Sequence, residues 1–567
     1  MASTQKPAVS INGPFRVQRH TGEMVKNRIF ALCTLAGLLI SCCSLPARAQ
    51  NDFGEVSFAN SGAPAAQSAF LHGLAQLHNF EYEDAAKFFQ LAEQADPNFA
   101  MAYWGEAMTF NHPIWMEQNR RAALEALSRL APTPEERLAK APTEREKDYL
   151  RAVEILYGDG DKDSRDFKYS DAMARLHEKY PADVDGAAFY ALSILGTAHN
   201  GRDIPTYMRA AAILEDLFYA HPHHPGAAHY LIHSFDDPVH APLGLRAARA
   251  YSTIAPNAAH AQHMTSHIFL ALGMWDDVVH ANEIAVAVSN RQSADRGGSP
   301  MVCGHYPFWL EYGYLQQGRF ADARRVLAAC RDEAARSLEA ARARGFVGRD
   351  TSSVSSFTDL KIRYLLDTQE WGGEVAGWTP ELGETTRSHF FSEFIAGYSA
   401  IQKGDLDSAR TILKLMQDQS SHWAAAEGGP PVRGVYSPSG DDRKVPDICQ
   451  QQLEALVLAA DGHNDQALAL LQRAAAVEQT MPFAFGPPEV AKPTFELIGE
   501  LLLKMQRPAD ARTAFETSLS RAPERTSSLM GLMRAAKASG DDSAAQLTSA
   551  KLQQIWHAAD RTPADLR

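Results

Sequence analysis

"FLHGLAQLHNFEYEDAAKFFQLAEQADP" (residues 70–97) is matched far downstream by "FELIGELLLKMQRPADARTAFETSLSRAP" (residues 495–523). Each stretch has a glycine (Gly73, Gly499), a small residue twelve positions later (Ala85, Ala511), an aromatic four further on (Phe89, Phe515) and a proline eight beyond that (Pro97, Pro523). Small residues let two helices of a pair approach closely, and bulky apolar ones fill the space between pairs. The proline stops the second helix. The same Gly-x-x-x-x-Ala turn recurs in "YLQQGRFADARRVL" (314–327), "IQKGDLDSARTIL" (401–413) and "LAADGHNDQALALL" (458–471). "LALGMWDDVVHAN" (270–282) repeats it with Val278 at the alanine position. One such pair cannot bury its own apolar face, so a chain of them must stack.

This pattern resembles the tetratricopeptide repeat, a 34-residue helix–turn–helix unit, over most of residues 66–560. The resemblance implies an all-α fold, a right-handed solenoid of helix pairs whose first helices line a concave groove. An N-terminal array is expected over 66–290 and a C-terminal array over 304–560, with a linker at 50–65, a loop at 291–303 and a tail at 561–567. Further loops are expected at 127–144, 157–166 and 427–444, where Ser, Gly, Pro and Asp gather.

A chain of 567 residues exceeds one ordinary core, in keeping with a repeat array. Its formal charge of −13, with no long basic run, argues against nucleic acid as a partner. The N-terminus reads as an export segment: basic Lys26 and Arg28, an apolar run from Ile29 to about Leu45, then Ala47-Arg48-Ala49 as a cleavage site. Met24 stands where such a segment would start. Removing residues 1–49 takes away six basic residues and one acid and leaves the chain at −18. The expected location is periplasmic or secreted. Leu39-Ile40-Ser41-Cys42 also resembles a lipidation site, so any membrane attachment would come through the signal or through Cys42. Cys303, Cys330 and Cys449 remain, and a Cys303–Cys330 disulfide stands open beside free thiols.

The histidines carry the functional signal. Nine of 21 fall within residues 221–267, where an even spread would place about two. "HPHHPGAAHYLIHSFDDPVH" (221–240) and "HAQHMTSH" (260–267) hold them. His199, His233 and His267 follow one another at 34-residue spacing, as do His229 and His263. With units starting near Ala191, Pro225, Ala259 and Gly304, His260 and His305 occupy position two, His229 and His263 position five, and His199, His233 and His267 position nine. These positions lie within about 60° on a helix. Leu231, Ile232 and Phe235 point roughly 140° away, which puts the histidines opposite the packing face. His221, His223 and His224 fall in the proline-rich turn. By the tetratricopeptide resemblance, positions two, five, nine, twelve and thirteen contact ligands, and Asp236 and Asp237 stand at twelve and thirteen.

His229 and His233 at i and i+4 offer two imidazoles on one face, and His263 and His267 repeat the pair on the next unit. Together they could surround one ion with four nitrogens, which suits Zn or Cu. His260, Asp236 or Asp237 could be further ligands or outer partners. His199 and His305 extend the groove wall. Two other readings stay open: histidines that cap helices and bond across repeats, and a metal-free polar groove for a peptide or small ligand. The segment 224–278 also resembles a group of exported bacterial tetratricopeptide proteins, which share a stretch like "FAMAYWGEAMTFNHPIW" (99–115). That resemblance groups His229, His233, His263 and His267 but implies no reaction. Trp104, Glu106, His112 and Trp115 are candidates for the same groove, with repeat packing the stronger reading. Ser266, at position eight, reads as a small packing residue. No nucleophile elbow, phosphate loop, dinucleotide fingerprint or HExxH motif is present. The function expected is an exported scaffold holding a protein or peptide segment, with the histidines as a metal or ligand site. The alternative is a metal-dependent hydrolase or oxygen-using enzyme in which Asp236 or Asp237 serves as general base.

Overall fold

The computed structural model describes residues 52–345, 351–379, 387–425 and 443–561. The expected export segment, Cys42, and most of the expected 427–444 loop lie outside the described residues. The described chain is an all-α solenoid of tetratricopeptide-type hairpins, with 24 α-helices and one pair of two-residue strands, Asn111–His112 against Glu117–Gln118. Residues 50–567 form one unit. Among the described residues no helix is long and apolar enough to cross a membrane.

The hairpin contacts are those the repeat demands. Gly73 on the Pro64–His78 helix is so close to Phe89 that a Cβ there would meet the ring at 3.1 Å. At Gly499 the corresponding approach to Phe515 is 2.6 Å. The hairpins that carry Ala85, Ala323, Ala409, Ala467, Ala511 and Ala545 turn through a residue with positive φ five positions before that alanine. Gly318 (φ 69°) and Gly462 (φ 84°) fill it without strain. Phe80 and Gln506, both at φ 58°, occupy the same place at a cost of about 1–2 kcal/mol each.

The apolar core forms two large clusters that meet along Val278–Val279 and Trp309–Leu310. Cys303 and Cys330 are disulfide-bonded, with Cα atoms 4.8 Å apart, and Cys449 is free and buried.

Three expected loops are partly helix. Residues 127–144 hold the end of the Arg120–Leu130 helix, all of Pro134–Lys140 and the start of Glu144–Leu156. Thr133 with Glu136, and Thr143 with Glu146, form capping boxes, so a stretch whose prolines suggested a loop starts helices instead. The Trp275–Asp295 helix runs into the expected 291–303 loop, and Lys162–Lys179 begins inside 157–166.

Candidate metal centre

Three helices carry the histidines: Pro225–Phe235 (first histidine helix), Ala259–Ala271 (second) and His305–Gln316 (third). The first starts at a proline, and its N-cap His224 accepts the Ala227 N–H through Nδ1 at 3.2 Å. Gly226 follows because His78 presses on the backbone there; a Cβ would stand 2.3 Å from its Nδ1. The third helix leaves Gly304 at φ 102°, a conformation few other residues adopt.

The side chains gather into two triads. His229 and His233 of the first helix join His260 of the second, and His263 and His267 of the second join His305 of the third. Within each triad one ring nitrogen from every residue lies within 4.8 Å of the others. The triads are neighbours: the His233 and His267 rings are 5.9 Å apart centre to centre, and His260 and His263 are 6.2 Å apart. The four-histidine set expected from sequence is therefore divided between two sites. His260 is a full member of one, and His305, placed only on the groove wall from sequence, completes the other. Its signal was the position it shares with His260, obscured because the two are 45 rather than 34 residues apart.

Hydrogen bonds behind the rings fix the tautomers of His229, His263 and His267. His263 Nδ1 donates to Asn282 Oδ1 at 2.7 Å; that amide is oriented by its own Nδ2, which donates to the Val278 carbonyl. His267 Nδ1 donates to Asp236 Oδ2 at 2.5 Å. Both Nε2 atoms then carry lone pairs, and they face each other at 3.0 Å. In the other triad His229 Nδ1 donates to the His78 carbonyl at 2.7 Å, leaving its Nε2 lone pair 3.1 Å from His260 Nε2. Among the described residues neither ring nitrogen of His233 has a hydrogen-bond partner, although the residue is buried. Two imidazole nitrogens bound at about 2.0–2.1 Å to one ion stand about 3 Å apart. Protons are a poor substitute for the ion, because burial, followed by repulsion from neighbouring histidines, pushes His229, His233, His260 and His263 well below the usual imidazole range.

The groove expected at this place is filled. His229, His233, His260, His263 and His267 are at most 6% exposed, and only His305 is open to solvent. Phe80 packs its ring against His229, His233 and His260, and Trp115 lies against His260. Tyr251 stacks on His229, and Trp309 stacks on His267 at 4.3 Å. The helical wheel found the common face of the histidines; it could not show that the first hairpin covers that face.

The acids divide as well. Asp236 stands behind His267 and orients the ring by accepting its Nδ1 proton. Asp237 is buried and committed to structure: it pairs with Arg202 at 3.3 Å and accepts from the backbone of Val239 and His240. It is not placed to act as a general base. His199 bonds to Asp166 at 3.0 Å and belongs to neither triad. Of the early candidates, Trp104 packs against Phe58, Tyr149 and Phe189, and Glu106 pairs with Arg129. His112 stacks on Tyr82, and Trp115 alone touches a triad. Ser266 is buried and bonds to the His263 carbonyl, as a packing residue.

A third histidine group lies behind the first triad. His78 Nε2 and His224 Nε2 both donate to Asp185 Oδ1, at 2.9 and 3.2 Å, and His78 Nδ1 accepts from the Tyr230 hydroxyl at 2.9 Å. Burial opposes the charge of Asp185, but the two imidazole donors outweigh it and hold the carboxyl below its usual range. Sequence reading missed His78 and Asp185, which stand 146 and 39 residues from His224.

No family model matches the chain, and no curated protein matches it. Solved structures do. The human IFIT1 dimer with m7Gppp-AAAA is 12% identical, with a TM-score of 0.34 over 90% of this chain and 93% of that one. The Cut9–Hcn1 hetero-tetramer of the APC/C is 14% identical, with a TM-score of 0.32 over 85% and 78%. Yeast Tom70 is 12% identical, with a TM-score of 0.32 over 86% and 99%.

Proposed function

We propose that the protein is an exported helical-repeat scaffold whose clustered histidines bind a transition metal, zinc or copper. The observation that carries this reading is the pair His263 and His267. Both spend their Nδ1 protons on acceptors behind the ring, and both direct Nε2 lone pairs at one point. Without a cation that contact is repulsive, and all-imidazole donor sets suit Zn and Cu. The Cys303–Cys330 bridge supports an oxidising compartment. The rest of the array holds a protein or peptide segment, the common use of this architecture.

Elemental analysis of protein purified without a polyhistidine tag tests the proposal. Metal is expected in stoichiometric amount, and its removal by chelation should lower the melting temperature. Less than about 0.1 ion per chain, with melting unchanged by chelator, would refute it.

A metal-dependent enzyme is the second reading, favoured by one observation. A cavity of about 230 Å³ begins at His305 and Trp309 and is lined further by Phe308, Phe391 and Phe485, so an ion held by His305 has a face that a small molecule can reach.

A further inference from the structure

Resting on the metal-centre reading, we propose that the six histidines hold two copper ions, one in each triad, and that the pair binds dioxygen. Six imidazoles are more than one four-coordinate ion takes. They also do not converge on one point: they fall into two sets of three that share no member and lie side by side. The second histidine helix supplies both sets, His260 to one and His263 with His267 to the other, which fixes the two sites against each other on a single rigid element.

The donor set selects the metal. All six ligands are neutral, the site is buried apart from His305, and Asp237 is already paired with Arg202. Negative charge beside the ligands comes from Asp236, behind His267, and from Glu81, whose Oε1 accepts the His260 backbone N–H at 3.1 Å. Two zinc ions would bring four positive charges into this pocket and would each seek a fourth ligand. Two cuprous ions bring half that charge, and three nitrogens complete their coordination. Each cuprous ion can give up one electron. Dioxygen takes up the two together: one O–O bonding pair is lost, a peroxide-level ligand forms, and both ions become cupric. No proton and no further reductant enters this step. Dioxygen reaches the centre through the cavity at His305.

The test uses untagged, full-length apoprotein. It is titrated with Cu(I) without air against a chromogenic cuprous chelator, then exposed to dioxygen, then examined by electron paramagnetic resonance. Two copper ions per chain are expected, with uptake of one dioxygen per two copper. The cupric signal should be far below one spin per copper, because adjacent spins couple. His305→Ala and His233→Ala should each keep one copper and take up no dioxygen; that copper stays cuprous and silent until an added one-electron oxidant makes it cupric, when it should give its full signal. One copper per wild-type chain, or two with two full signals, overturns the pair and leaves the metal reading standing. Two copper ions per chain that take up no dioxygen overturn the dioxygen assignment. Binding of neither copper nor zinc overturns both this inference and the function proposed above. If a variant fails to fold, the wild-type stoichiometry and spin count decide alone.

Discussion

The molecule buries histidine in two adjoining places and treats it differently in each. In the His78–Asp185–His224 group every ring donor meets an acceptor, and both His78 Nδ1 and His224 Nδ1 accept a hydrogen bond in turn. In the two triads nitrogen faces nitrogen, and among the described residues His233 has no hydrogen-bond partner for either ring nitrogen. Ring proximity does not separate them: His78 and His224 are 4.7 Å apart, His229 and His260 4.9 Å. The tautomers do. A buried imidazole with both nitrogens matched is part of the framework, whereas the lone pairs that His263 and His267 turn toward each other are what the proposed cation would satisfy.

The largest effect expected from this contrast comes from Asp185→Ala. It leaves two buried imidazole donors without their acceptor, at about 1–3 kcal/mol each, and should cost about 2–6 kcal/mol, read from the denaturation midpoint. Metal content per folded chain should not change; its loss would merge the two groups into one. Next comes pH. Burial lowers His78 to about 4, against the bond to Asp185, which raises it. The unfolded chain therefore binds the proton first as pH falls. The His78 contribution is complete above the ordinary imidazole value, declines between about 6.5 and 4, and amounts to about 3 kcal/mol in all. Thermal unfolding of the apoprotein across this window should show that loss, and His78→Gln should remove it. The smallest effect expected is that of Asp236→Ala. It takes away the carboxylate that sets the His267 tautomer and should weaken metal binding about 10–100-fold, read by chelator competition, with the helical signal unchanged. Unaltered affinity would deny Asp236 its positioning role.

Much of this was legible in the sequence, for local reasons. The Gly73–Phe89 and Gly499–Phe515 contacts follow from spacing, since the repeat dictates which residues meet. The face shared by His229, His233, His263 and His267 follows from helical periodicity. The division into two triads does not, because it depends on the superhelical path that brings the first hairpin, with Phe80, over the histidines. His78 and Asp185 were illegible for the same reason, and the Asp236–Asp237 pair looked equivalent until Arg202 was placed beside Asp237. The capping boxes at Thr133 and Thr143 were readable, but the surrounding prolines drew the stretch toward a loop.

The disulfide has a consequence for when the centre can form. Cys303 is two residues ahead of His305, and its bond to Cys330 anchors the start of the third histidine helix to the Phe320–Ala343 helix. The first triad draws on no residue of that region, while the second needs His305. In a reducing compartment the chain would lack this anchor, so on the proposed reading the second site would be completed only after the bridge has formed.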